Sequence, residues 1–223
     1  MIHVGLLLDE SGSMQPLRDD VIGGVNEYIR RLKEENASDP TTLSVYKFDR
    51  SGTDPILRDV FVRVPIEDVT RFEDYEPRGA TPLNDAVIES MSSMSRFVTP
   101  EDKVIFAIYT DGLENASSEA TAAAVQQAVT GREKTGWTFI YLGANQDAWQ
   151  VGYQYGFNKR GQTYTTKASP HGMMASMSTL GKVTNTMRRA GGQAVSSLQA
   201  MPTEIDEEEL DVPNIHEVPD DAA

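Results

Sequence analysis

The sequence predicts an α/β protein: a doubly wound, mostly parallel six-stranded sheet with helices on both faces and one antiparallel edge strand. Three observations lead there. Short, nearly continuous apolar runs recur at residues 2–8, in "KVIFAIYTDG" and in "GWTFIYLGAN". Such a run has no polar face, so it suits a strand buried on both sides, which is the parallel case. Segments with helical spacing separate these runs, and strand–helix alternation is what a layered parallel sheet requires. One stretch breaks the alternation: "TLSVYKFD" and "ILRDVFVRV" alternate as strands do around a turn-rich "RSGTDP", which reads as an antiparallel hairpin.

Each element follows from its own pattern. After the first strand, a helix begins at Pro16, with Leu17, Val21, Val25, Tyr28 and Leu32 at helical steps and Ile22 and Ile29 widening the stripe. Gly23 and Gly24 weaken it by about 1 kcal/mol each relative to Ala, which close packing against a neighbour would explain. The hairpin comes next. "YEPRGATPLNDAV" is a loop entering a helix near Leu83 that ends around Phe97. "KVIFAIYTDG" is a buried strand ending in an acid. "SSEATAAAVQQAVTGRE" is a helix capped by Ser117 or Ser118, with Gly131 near its end. After the strand "GWTFIYLGAN", Asn145 caps a helix running to about Gly156, and "QTYTT" is a short last strand. Residues 171–190 form a Met-rich helix whose stripe of Met173, Met177, Leu180 and Met187 reads as core, because Met fills irregular gaps.

Composition narrows the function classes. The 223 residues carry a formal charge of −14, with 39% hydrophobic residues and no Cys. Disulfides and thiolate metal sites are excluded. The acidic balance argues against nucleic acid, which attracts basic patches. No apolar run reaches membrane-spanning length, and "MIHVGLLLDE" lacks the basic start of a secretory signal. The expected setting is therefore cytoplasmic, or host cytoplasm or virion for a phage-encoded protein. The charge is concentrated: residues 203–223 hold nine acids and no Lys or Arg. The expectation is a folded body over 1–200 and an acidic tail over 201–223 that is disordered or loosely docked.

Chemistry concentrates at two strand ends. In a doubly wound sheet, ligands sit outside the carboxyl ends of the strands where the strand order reverses. Asp9 ends the first strand and Asp111 ends the strand "KVIFAIYTDG". If the two strands are neighbours, about 4.8 Å apart, two bare carboxylates would repel, and one would hold a proton unless a cation lay between them. Ser11 and Ser13, at alternate positions after Asp9, add hydroxyls, and Thr81 in "RGATPLND" offers a third. This all-oxygen set suits Mg²⁺, Mn²⁺ or Ca²⁺ rather than Zn²⁺.

D-x-S-x-S after the first strand, a Thr in the loop after the hairpin, and T-D-G closing the fourth strand resemble a von Willebrand factor A (VWA) domain, over about residues 1–195. The resemblance implies the strand order 3-2-1-4-5-6 and a metal-ion-dependent adhesion site (MIDAS). Asp9, Ser11, Ser13, Thr81 and Asp111 would be its ligands. It also implies a function: the cation stays electrophilic and accepts a carboxylate from a protein partner, which is recognition and not catalysis. Glu10, Gly79 and Glu114 border these positions and are candidates for touching that partner. For a stand-alone member of prokaryotic or phage type, the partner would be an AAA+ ATPase or a virion protein.

Two other readings compete. A Mg²⁺-dependent phosphoryl-transfer hydrolase also begins with a strand-end Asp, but the haloacid-dehalogenase type needs D-x-D-x-T and this chain has Ser11 at the second acid. No phosphate-binding G-x-x-x-x-G-K-S/T loop occurs. A metal-independent structural protein, such as a phage virion component, is the other. Asn145 and Asp147 are read as helix-capping, and His3, His171 and His216, far apart in sequence, as structural or exposed.

Overall fold

The computed structural model describes residues 1–34, 39–144, 148–157 and 162–190. Among the described residues six strands and five α-helices occur in chain order: β1 (Ile2–Asp9), α1 (Arg18–Glu34), β2 (Thr41–Phe48), β3 (Leu57–Pro65), α2 (Leu83–Ser95), β4 (Lys103–Thr110), α3 (Ala122–Glu133), β5 (Trp137–Ala144), α4 (Ala148–Gln154), β6 (Thr163–Thr166) and α5 (Pro170–Ala190). The sheet order is β3-β2-β1-β4-β5-β6. β1, β2, β4, β5 and β6 pair in parallel, and β3 joins β2 antiparallel as the edge. The order reverses between β1 and β4, so the ends of these two strands form the switch point.

The apolar runs are apolar throughout because both faces of the sheet are covered. Leu6 and Leu8 of β1 point into a layer shared with α1 and α5, while Leu7 points into the layer under α2, α3 and α4. Met173, Met177, Leu180 and Met187 all lie in the first layer. Of the paired glycines, Gly24 permits the α1–α5 approach: a Cβ there would sit 3.1 Å from Met173 Cε and 3.2 Å from Met177 Cγ, whereas Gly23 has no neighbour within 4 Å.

The structure differs from the expected boundaries in two places. Gly12–Leu17 is a 3-10 turn that precedes α1, so the α-helix starts two residues after Pro16. α3 is capped by Thr121, whose side chain accepts from the Ala124 N–H, and not by Ser117 or Ser118. Those serines serve the loop before it. Asn145, Asp147, His216 and the tail over 201–223 lie outside the described residues. His3 is structural: at the end of β1 far from the switch point, it pairs with Thr42 Oγ1 at 2.7 Å, and burial lowers its pKa. His171 is exposed at the start of α5.

Candidate metal centre

Asp9 is the last residue of β1 and Asp111 follows the last residue of β4, with Leu8 in register with Tyr109. The two carboxylates therefore reach one crevice. Ser13 Oγ donates to Asp111 Oδ1 at 2.7 Å and lies 3.1 Å from Ser11 Oγ. The Ser11 N–H donates to Asp9 Oδ1 at 2.8 Å, and Thr110 Oγ1 donates to Asp9 Oδ2 at 2.6 Å. Gly112 keeps the middle clear: a Cβ there would stand 3.2 Å from Thr81 Oγ1 and 3.7 Å from both Asp9 Oδ2 and Ser13 Oγ. Thus Asp9, Ser13 and Thr81 converge on one small space, and Ser11 and Asp111 are tied to Ser13. All five sequence-predicted ligands are brought together.

Electrostatics at this point are unfavourable to a bare chain. Asp9 is fully buried, and its pKa is raised to about 6. Burial is the main cause; the hydrogen bonds from Thr110 and Ser11 oppose it, and the charge of Asp111 adds to it. Among the described residues no three His, Cys, Asp or Glu side chains gather as a metal group. A cation here would be held by two carboxylates and three hydroxyls, a hard oxygen set. The donors fit a divalent ion, because two acids balance its charge.

Three loops carry these donors, and backbone hydrogen bonds lace them together. The Arg78 N–H donates to Glu10 O at 2.7 Å and the Gly12 N–H to Gly79 O at 3.0 Å, joining the Asp9–Ser13 loop to the Thr81 loop. Gly79 has φ +70, and a Cβ there would lie 2.3 Å from Arg50 O, so this brace requires glycine. The Thr81 loop is joined in turn to the Asp111 loop by Asn115, whose Oδ1 accepts from Thr81 N at 2.8 Å while its own N–H donates to Thr81 O at 3.1 Å. Asp85, on the first turn of α2, accepts from the N–H groups of Ser118, Glu119 and Ala120. Burial pushes its pKa up, but those three bonds and Arg50 outweigh it, leaving it below the ordinary value.

The three candidates for partner contact have different positions. Glu10 is only 1% exposed, so its carboxylate does not face a partner. Its Oε1 accepts from the Glu76 N–H and lies 3.1 Å from Lys47 Nζ, and its Oε2 pairs with Arg58. Arg58 also pairs with the fully buried Asp49, which Arg78 approaches at 3.5 Å. Glu114 is half-buried and braces its own loop, accepting from the N–H groups of Asn84, Ala116 and Ser117. Gly79 alone of the three is exposed. Sequence reasoning gave no site role to Asn115 and Asp85, read Gly112 only as the last residue of T-D-G, and missed Leu113, which is 61% exposed beside the site.

No protein-family sequence model matches the chain, and no curated protein sequence matches it. Solved structures match in three dimensions. The pilus adhesin SpaC from Lactobacillus rhamnosus GG superposes with a TM-score of 0.66 at 14% identity, over 81% of this chain and 30% of that one. A von Willebrand factor type A structure from Catenulispora acidiphila gives 0.55 at 14% identity, over 81% and 41%. The chain has the von Willebrand factor A fold. Proximal thread matrix protein 1 of the mussel byssus matches this VWA fold with a TM-score of 0.60 at 14% identity, over 82% and 45% of the two chains. Another structure of that protein, described as having a zinc-occupied MIDAS motif, gives 0.53 at 16% identity, over 80% and 46%. The chain spans less than half the length of each of these proteins.

Proposed function

We propose that this chain is a protein-binding module whose contact with its partner runs through a divalent cation held by Asp9, Ser11, Ser13, Thr81 and Asp111. The convergence of Thr81 Oγ1, Asp9 Oδ2 and Ser13 Oγ on the space beside Gly112 is the observation that carries this reading. A divalent cation bound there supplies an electrophilic centre for a carboxylate oxygen of the partner. The chain's own residues do the rest. Asp9 and Asp111 balance the charge, and the three hydroxyls add donors without adding charge, so an acidic side chain is still attracted. Thr110 holds the Asp9 carboxylate in orientation. Ser13 is exposed and Asp111 half-buried, so the site opens to the surface. Leu113 gives the rim an apolar contact, and the partner's acid is therefore expected beside an apolar residue.

The ion belongs to the same proposal. The hard donor set favours Mg²⁺, Mn²⁺ or Ca²⁺, while a related fold has been described with zinc in its MIDAS motif. Calorimetry with each of the four ions should show a single site, lost in Asp9→Ala and in Asp111→Ala. Affinity capture should then recover a protein partner with the loaded chain, and lose it with chelator or with Thr81→Ala, which removes one hydroxyl and no charge. A complex that survives both treatments would assign the interaction to another surface.

A further inference from the structure

The VWA fold of this chain carries a second charged feature at the other end of its helical layer. A groove of about 300 Å³ runs between α1 and α5, lined by Arg31, Lys182 and Arg189 together with Ser178, Asn185 and Thr186. Lys182 and Arg189 are exposed. Arg31 donates to Glu27 Oε1 at 2.7 Å and to Ser178 Oγ at 3.1 Å, which aims its guanidinium along the groove wall. α5 contains no Asp or Glu at all, in a chain whose formal charge is −14. Arg188, 5% exposed, lies outside the groove lining and ties α5 to α1 by donating to Leu32 O at 2.9 Å. In a strongly acidic protein, three cations thus line one groove with no acid on the α5 side.

The same chain supplies the complement. Residues 204–211, "EIDEEELD", hold six acids and no base. They are separated from Ala190, the last residue of α5, by residues 191–203. Thirteen residues span up to about 45 Å, whereas α5 is about 32 Å long at 1.5 Å per residue, so the acids reach every part of the groove. We infer that residues 204–211 dock in the groove between α1 and α5, their carboxylates facing Arg31, Lys182 and Arg189 and the hydroxyls of Ser178 and Thr186. Single exposed ion pairs are weak. Six acids on a short tether act at an effective concentration of order millimolar, so a set of weak pairs is populated. Docking there keeps the acids away from the metal centre: Arg31 lies about 20 Å along α1 from Arg18, which follows the metal loop. The inference does not depend on the metal reading.

Because the chain has no Cys, Glu208→Cys gives a unique attachment point for a nitroxide label in the full-length protein. Amide spectra, without divalent metal and at low salt, should lose intensity at Arg31, Lys182, Asn185 and Thr186. The loss should be relieved near 1 M salt, where the screening length falls to about 3 Å, and in Lys182→Glu/Arg189→Glu, both surface changes. Three results would overturn the inference. Loss centred on Asp9, Ser13 and Thr81 would put the acids at the metal loops. Loss spread evenly over the body would mean no docking. Loss in a mixed sample, with label and isotope on separate copies, would make a second chain the occupant.

Discussion

Asp9 shows how a residue can oppose the fold that carries it. Its pKa in the folded chain is about 6 against an ordinary 3.8, chiefly through burial. The folded state therefore holds this proton more tightly than the unfolded state does. The resulting stabilisation is complete below about pH 4 and is lost as the pH rises through 6. At neutral pH, keeping the ionised carboxylate buried costs the fold up to about 3 kcal/mol. Asp9→Asn should thus raise the melting temperature of the chelated protein at pH 7, show little gain at pH 4, and bind no metal. The amide can be accommodated, because Thr110 Oγ1 has Gly112 O, at 3.1 Å, as an alternative acceptor. An equal effect of the substitution at both pH values would refute the raised pKa of Asp9 in the folded chain. The proton also competes with the cation, so metal affinity of the unmutated chain should fall as the pH drops below 6, measured by calorimetry across pH 5 to 8.

At the scale of elements, the site is three loops, and their lacing decides how well the donors are held. Asn115 is the informative member. It fixes Thr81 from both sides of the backbone, although its own side chain is exposed. In Asn115→Ala, water can take over the Thr81 N–H, so stability should drop by no more than about 1–2 kcal/mol. Thr81 would lose its fixed position, and metal affinity should fall about 10-fold or more, as for other residues that orient ligands. Calorimetry and a denaturant melt on one variant separate the two effects; unchanged affinity would remove Asn115 from the site. The difference between ligands and braces also explains what the sequence discloses. Asp9, Ser11 and Ser13 are legible because alternation at the end of an apolar run is a local pattern. Asn115 and Asp85 act on backbone groups 34 and 33 residues away, and no local pattern encodes that. The cap of α3 is ambiguous in sequence because "SSEAT" offers three hydroxyls. The first two are occupied elsewhere: Ser117 Oγ donates to Glu114 and accepts from the Asp85 N–H, and Ser118 Oγ accepts from Arg50. Glu10 reads as a rim residue because it adjoins Asp9, yet the cations that bury it come from β2 and β3.

On the scale of the whole molecule, the layers and the candidate metal centre are built from different parts of the chain. The sheet and its two apolar layers are legible because both-sided burial leaves unbroken apolar runs; the strand order comes from the motif's resemblance, since the runs themselves do not say which strands are neighbours. The core rests on these layers, with Tyr28, Tyr109 and Met177 on one side and Phe106, Phe139 and Phe157 on the other. The loops above are joined by protein hydrogen bonds that need no ion. Metal removal should therefore leave the fold intact and subtract only the binding linkage. At a free metal concentration 100 times the dissociation constant, that linkage is about 2.7 kcal/mol, or roughly 5–10 °C in melting temperature for a domain of this size. Far-ultraviolet circular dichroism should be the same with metal and with chelator. Asp111→Ala should melt at one temperature in both, because it has no site through which the ion can act. A chelated chain that loses its helix and strand signal would show instead that the cation, and not the Arg78–Glu10, Gly12–Gly79 and Thr81–Asn115 bonds, holds the three loops and the switch point together.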